Sequence, residues 1–220
     1  MKKIIFILIS FFYFSYYLQG QEKITTVLIK TNLGDMKIEL YNETPLHKEN
    51  FIKLVNENFY NELLFHRVIK NFMVQAGDPN SKNAKKGARL GNGGTDYKIP
   101  AEFNKKFFHK KGALAAARQG DNINPQKMSS GCQFYIVQGN VYTIEKLKSF
   151  EARMKIPFSE EQKKAYTTLG GTPHLDYNYT VFGEVIEGLE IIDKIASSQT
   201  DRGNRPLEDI KIISMKILQK

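Results

Sequence analysis

The chain has 220 residues, 41% of them hydrophobic, with 15 Phe and 11 Tyr, which is apolar material enough for one large packed domain and argues against general disorder. Its single cysteine, Cys132, excludes an internal disulfide framework and a multi-thiolate metal site. The net charge of +9 reads as a soluble basic surface, because no Lys/Arg run with interleaved aromatics forms a nucleic-acid groove.

Residues 1–20 have the layout of a secretory signal: Lys2-Lys3, an apolar run from Ile4 to Leu18, and Gly20 as a small residue for cleavage. The run is about fifteen residues against the roughly 20 of a spanning helix, so no stable membrane span is expected once the leader is cut. An uncleaved leader serving as an anchor is the alternative. Residues 21–220 are then the mature domain, at +7 without Lys2 and Lys3. One cysteine in an exported chain fits a bacterial periplasm better than a disulfide-rich route.

Ile24 to Lys30 is apolar and β-branched, and Met36, Ile38 and Leu40 alternate with Lys37, Glu39 and Tyr41, so the two runs around Asn32-Leu33-Gly34 predict a hairpin. Thr44-Pro45 opens a helix, with a side-chain oxygen for capping and proline at its first position. Phe51, Leu54, Val55 and Phe59 give it a buried stripe. From Phe65 to Pro79 the pattern is two short strands joined at Lys70-Asn71, with Phe65, Val68, Phe72 and Val74 available for burial. If Arg67 and Gln75 point the same way from adjacent strands, they make a fixed donor group beside the apolar Phe72 and Met73. Such a site suits a greasy substrate with a carbonyl or amide next to the greasy part.

Asn80 to Pro100, rich in Gly, Asn and Lys, lacks the Lys-Ser/Thr and following helix of a phosphate cradle and reads as a long irregular surface loop. Gly112–Ala117, Gln133–Gln138, Thr180–Glu187 and Ile210–Leu218 read as further strands, and Leu189, Ile192, Ile195 and Ala196 as a helix stripe. About eight strands and two helices in one domain predict a mainly β fold: a closed eight-stranded antiparallel barrel capped by two helices. Val141 to Gly171 interrupts this with a helical hairpin. Its signs are the stripe Ile144, Leu147, Phe150, Met154, a break at Pro157, and a Ser159–Gln162 capping box. His47 and His109 read as surface residues, His66 as a structural or supporting one. The four histidines have no metal-ligand spacing, so no metal or cofactor is expected.

The run from Phe65 to Pro79 closely resembles the signature of cyclophilin-type peptidyl-prolyl cis-trans isomerases. The resemblance continues through Ile99–Phe103, Gly112–Arg118, Ser130–Ile136, Leu175-Asp176 and Val181–Val185, covering nearly all of residues 24–217 in order. The stretch Phe158 to Gln162 in the hairpin looks like exported cyclophilins of Bacteroidetes-type bacteria. The resemblance implies an enzyme that rotates Xaa-Pro bonds, with proline-containing peptides and unfolded exported proteins as partners, acting as a monomer. It implies Arg67 and Gln75 as the catalytic pair. Phe72, Met73, Tyr135, Leu175 and Tyr179 would line the proline pocket, and Ala117, Arg118 and Gln133 would bind the flanking backbone. His174 stands at the groove rim where many members carry Trp, a residue this chain lacks, so tight cyclosporin binding is not expected. Tyr135 and Tyr179 stand where Phe and His are usual, and give the pocket more polar rims. The competing reading is a non-catalytic chaperone or scaffold of the same fold.

Overall fold

Alternation builds the first hairpin. In the computed structural model, which describes residues 24–219, β1 (Thr25–Thr31) and β2 (Gly34–Leu40) bury Val27, Ile29, Met36, Ile38 and Leu40 on one face. The expected leader lies outside the described residues. Among them, no helix is long and apolar enough to cross a membrane.

The helix α1 (Pro45–Asn56) begins where expected and buries Phe51, Ile52, Leu54 and Val55, but its cap is different. The Thr44 hydroxyl donates backwards to the Tyr41 carbonyl instead of serving the first turn. Glu102, from a distant loop, takes the free amides of Leu46 and His47 at 3.0 and 2.9 Å. A carboxylate is suited to that place, because it meets the unpaired N–H groups at the positive end of the helix dipole. Glu102 also meets the His47 ring at 2.6 Å, which brings inside a histidine expected at the surface.

The remaining elements are β3 (Arg67–Ile69), β4 (Met73–Ala76), β5 (Lys98–Ile99), β6 (Ala113–Ala116), β7 (Ser129–Ser130), β8 (Phe134–Val137), α2 (Ile144–Met154), α3 (Glu160–Thr168), β9 (Val181–Glu187), α4 (Leu189–Ala196) and β10 (Ile212–Gln219). Eight strands form one antiparallel sheet in the order β10-β1-β2-β9-β6-β8-β4-β3, while β5 and β7 pair separately. The sheet is an open half-barrel, which corrects the expected closed barrel. Its edge strand β3 is three residues long, and β10 uses its ladder on β1. Between these edges there is an isolated antiparallel bridge, Leu64 with Lys211, and not a ladder. The Phe65 N–H bonds Ile210 O and the Ile212 N–H bonds Leu63 O, with further bonds from Glu62 to Ile212 and from Val68 to Asn204, each 2.8 Å.

Both faces of the central strands are buried. Val74, Leu114, Phe134 and Ile136 point into the main core with α1 and α4. Their neighbours Met73, Ala113, Ala115, Tyr135 and Val137 point the other way, into a second cluster completed by Val181. This period of two puts a packed floor on the outer face of the sheet. The stretch 141–171 holds two helices as expected. Thr143 caps α2, and the Ser159–Gln162 capping box closes α3, with bonds of 3.1 and 2.9 Å. Leu147, Phe150, Phe158, Ala165 and Tyr166 pack with Phe108 in a third cluster.

Candidate functional site

The strand register assembles the site. Arg67 pairs with Gln75, Gln75 with Tyr135, and Tyr135 with Ala115, making one row across β3, β4, β8 and β6. Residues in one row of a pleated sheet face the same side, so Arg67 and Gln75 do point the same way. The Arg67 Nη1 donates to Gln75 Oε1 at 3.1 Å and lies 3.9 Å from Met73 Sδ. Gln75 in turn donates through Nε2 to Gln133 Oε1 at 2.9 Å. The Gln133 Nε2 is held by the carbonyls of Gly91 and Gly93 at 3.0 and 2.6 Å. Each side-chain amide is thus anchored at both ends, and Arg67 cannot swing freely. Burial lowers the Arg67 pKa, but a guanidinium keeps its charge.

This row opens on a cleft of about 630 Å3. Of the expected residues, Arg67, Phe72, Met73, Gln75, Ala117, Arg118, Tyr135, Leu175 and Tyr179 line it. Gln133 and His174 do not. Gln133 stands behind Gln75, and its side chain is spent there instead of facing a peptide. His174 is stacked against the back of Phe72, ring centres 5.7 Å apart. Two further expectations are corrected. The Ala117 N–H is bonded to Gln133 O and its carbonyl to Ser130 N–H, so little of that backbone is free. Tyr135 is 4% exposed and turns its hydroxyl away from the cleft to His109, at 2.9 Å, so it makes a floor, not a polar rim.

Arg118 is a brace. Its Nε donates to Asn178 O, its Nη1 to Gln119 O and Asp121, and its guanidinium lies 4.5 Å over the Tyr179 ring. Tyr179 meets Tyr135 edge-on at 5.9 Å. The apolar floor is therefore a set of rings locked against one another.

Sequence reasoning missed the opposite wall. His66, the loop segment 87–92, Asp201, Gly203 and Arg205 line the cleft as well. The Gly-rich stretch is not merely a surface loop. Asp78, fully buried, accepts the N–H groups of Asn80 and Gly91, and a Cβ on Gly93 would overlap the Asp78 carboxylate. Arg205 ties the same loop down by donating to the carbonyls of Lys85 and Ala88 at 3.0 and 2.6 Å while pairing with Asp209. The only sequence signal was the glycine density itself, which marks close approach without saying what is approached. His66 is 4% exposed and neither ring nitrogen has a hydrogen-bond partner among the described residues. Burial pushes its pKa down to about 4, against the pull of the Asp78 carboxylate.

Among the described residues, no group of three or more His, Cys, Asp or Glu side chains has metal-binding geometry. The arrangement offers a cation held in a fixed plane, an apolar floor for a compact ring, and an open cleft along which a chain can lie.

Residues 26–217 match the family model described as cyclophilin type peptidyl-prolyl cis-trans isomerase/CLD. A Staphylococcus saprophyticus protein named as a peptidyl-prolyl cis-trans isomerase is 39% identical over 197 residues, covering 88% of this chain and 91% of its own length. A Staphylococcus aureus protein of the same name is 34% identical over 201 residues, covering 90% and 93%. Among solved structures, a cyclophilin type peptidyl-prolyl cis-trans isomerase of Cryptosporidium parvum superposes with a TM-score of 0.63 at 24% identity, covering 88% of this chain and 97% of that one. The same protein crystallised in the presence of the dipeptide Ala-Pro gives 0.62 at 24% identity, covering 87% and 98%.

Proposed function

The chain belongs to the cyclophilin-type peptidyl-prolyl cis-trans isomerase family, and from that premise we propose that the Arg67 cleft is where it rotates an Xaa-Pro peptide bond. Rotation is slow because resonance gives the C–N bond partial double-bond character, with a barrier of roughly 20 kcal/mol. The reaction breaks no covalent bond, so catalysis consists of stabilising the twisted amide. As the amide twists, its resonance is lost and the prolyl nitrogen becomes pyramidal. Arg67 donates to the substrate carbonyl oxygen and towards that nitrogen. Gln75, bonded to Arg67 at 3.1 Å, keeps the guanidinium in its plane before the substrate arrives. A donor oriented in advance favours the twisted state over the planar one. Phe72, Met73, Tyr135, Leu175 and Tyr179 hold the proline ring while the preceding residue turns. The Ala-Pro dipeptide present with the Cryptosporidium protein supports proline-containing peptides as the ligand class.

The observation that carries this reading is the Arg67–Gln75–Gln133 chain of side-chain bonds beside a ring-lined floor. A protease-coupled assay on an Xaa-Pro peptide tests it. Arg67→Ala is expected to lower kcat/KM by about 100-fold, the scale for losing one preorganised donor. Activity equal to wild type in Arg67→Ala sinks the assignment.

The biological setting we infer is assisted folding of exported proteins, in a periplasm, by a monomer. The support is the Lys2-Lys3 leader with its Ile4–Leu18 apolar run and Gly20. Mass spectrometry of protein from the envelope fraction is expected to find a chain beginning at Gln21. A chain that retains Met1 and sediments with membranes would favour the anchored alternative.

A further inference from the structure

A buried polar chain runs from the floor of the cleft to α3. Asp176 is fully buried, and its carboxylate accepts four hydrogen bonds, none of them from a Lys or Arg. His109 gives it the backbone N–H at 2.8 Å and ring Nδ1 at 2.9 Å, both on Oδ1. Tyr166 gives its hydroxyl at 2.6 Å and Gln162 its amide at 3.2 Å, both on Oδ2 and both from α3. His109, read from sequence as a surface residue, is 0% exposed. A carboxylate only accepts, so the His109 Nδ1–H donates to Asp176, while Nε2 on the other side of the ring pairs with the Tyr135 hydroxyl at 2.9 Å. Burial raises the pKa of both phenols well above the usual value, which keeps them donors. The donors therefore converge on Asp176, Tyr166 and Gln162 from α3 on one side and His109, which joins Tyr135, on the other.

A second contact joins the same helical pair to the rim. Phe150 of α2 stacks on His174 at 6.2 Å and 24°, and His174 stacks on Phe72 at 5.7 Å and 21°. Phe72 and Tyr135 are the two rings of the proline pocket thus touched, one from the rim and one from the floor.

We propose that the α2–α3 pair is a positioning element of the proline pocket: Tyr166, Asp176 and His109 hold the Tyr135 ring in place, while Phe150 and His174 hold Phe72. None of these five is a catalytic residue, since each acts through a pocket ring. The inference rests on the reading of the cleft as the proline site. The pocket rings contact the prolyl ring in both isomers and in the twisted state, so loosening them removes binding common to all three.

The experiment combines single and double variants in the peptide assay, on the full chain, with thermal melting to establish folding. Tyr166→Phe removes the hydroxyl and keeps a ring that packs with Phe108 and Phe158. It is expected to raise KM by about three- to tenfold, the equivalent of one hydrogen bond, with kcat changed by no more than about twofold. Tyr135→Phe cuts the chain at its far end, so Tyr166→Phe is expected to have little further effect in that background. Phe150→Leu repeats the test at the rim without touching a buried polar group, and Glu161→Ala, an exposed change on α3, serves as a control with unchanged constants. Unchanged KM in both Tyr166→Phe and Phe150→Leu, or full additivity of Tyr166→Phe with Tyr135→Phe, overturns the inference. Arg67→Ala in the same series separates the two readings. If it remains active, the site assignment has failed; if it alone is inactive, only the role of the helical pair has.

Discussion

His66 precedes the cleft arginine and is a buried base with no hydrogen-bond partner among the described residues. Its pKa falls from 6.5 to about 4, chiefly through burial. The folded protein thus keeps the ring neutral where the unfolded chain already binds a proton. Between about pH 6.5 and 4 the unfolded state holds more protons, so stability contributed by His66 is complete above that window and is lost as pH falls through it. A shift of this size corresponds to about 3 kcal/mol. Urea denaturation at pH 7 and pH 4 is expected to show a smaller loss for His66→Asn than for wild type, by about 2–3 kcal/mol. Equal losses in both proteins would contradict the burial argument. At the same scale, Gln75→Leu removes the group that orients Arg67 but leaves the cation. Activity is expected to drop by about tenfold, less than for Arg67→Ala, because the guanidinium can still reach the amide from a broader set of rotamers.

At the scale of elements, Glu102 shows how a distant loop completes a helix. It caps two amides of α1 and bonds the His47 ring, while its own N–H donates to Thr180 Oγ1 at 3.0 Å. Glu102→Ala is expected to cost about 2 kcal/mol in chemical denaturation, from the lost cap and a buried imidazole left unpaired. A change below about 0.5 kcal/mol would mean that other groups or water take over. The eight strands of the main sheet, α1, α4 and the α3 capping box were legible from period and turn residues, because those signals are local, whereas the two-residue strands β5 and β7 were not. The Thr44-Pro45 start was legible too, but its cap was not: a residue 58 positions away in sequence supplies the carboxylate, and no local pattern carries that information. His109 was misread for the same reason. Between two lysines and two phenylalanines it looks exposed, yet Asp176, which arrives from the far side of α3, draws it inside.

At the scale of the whole molecule, two buried sheet faces divide the work. The inner face, with α1 and α4, makes the main core, and the outer face makes the cleft floor. Period-two strands with small residues in β6 allow both, since Ala113 and Ala115 leave room for the Tyr135 and Tyr179 rings. The Arg67–Gln75 pairing was legible because a two-stranded turn at Lys70-Asn71 fixes its own register. Closure of the barrel was not: eight strands can close or stay open, and the choice depends on whether the segments at 62–65 and 204–212 form a ladder. The second wall of the cleft was hidden likewise, because Arg205 and the 87–92 loop meet only through that irregular seam.

The central claim is that Arg67 turns bound peptide over instead of merely holding it. Exchange NMR on a short Ala-Pro peptide, with protein well below the peptide concentration, separates the two. Wild type is expected to drive exchange between the cis and trans signals, whereas Arg67→Ala still shifts the peptide resonances on titration but drives none. Exchange in Arg67→Ala as fast as in wild type would contradict the account.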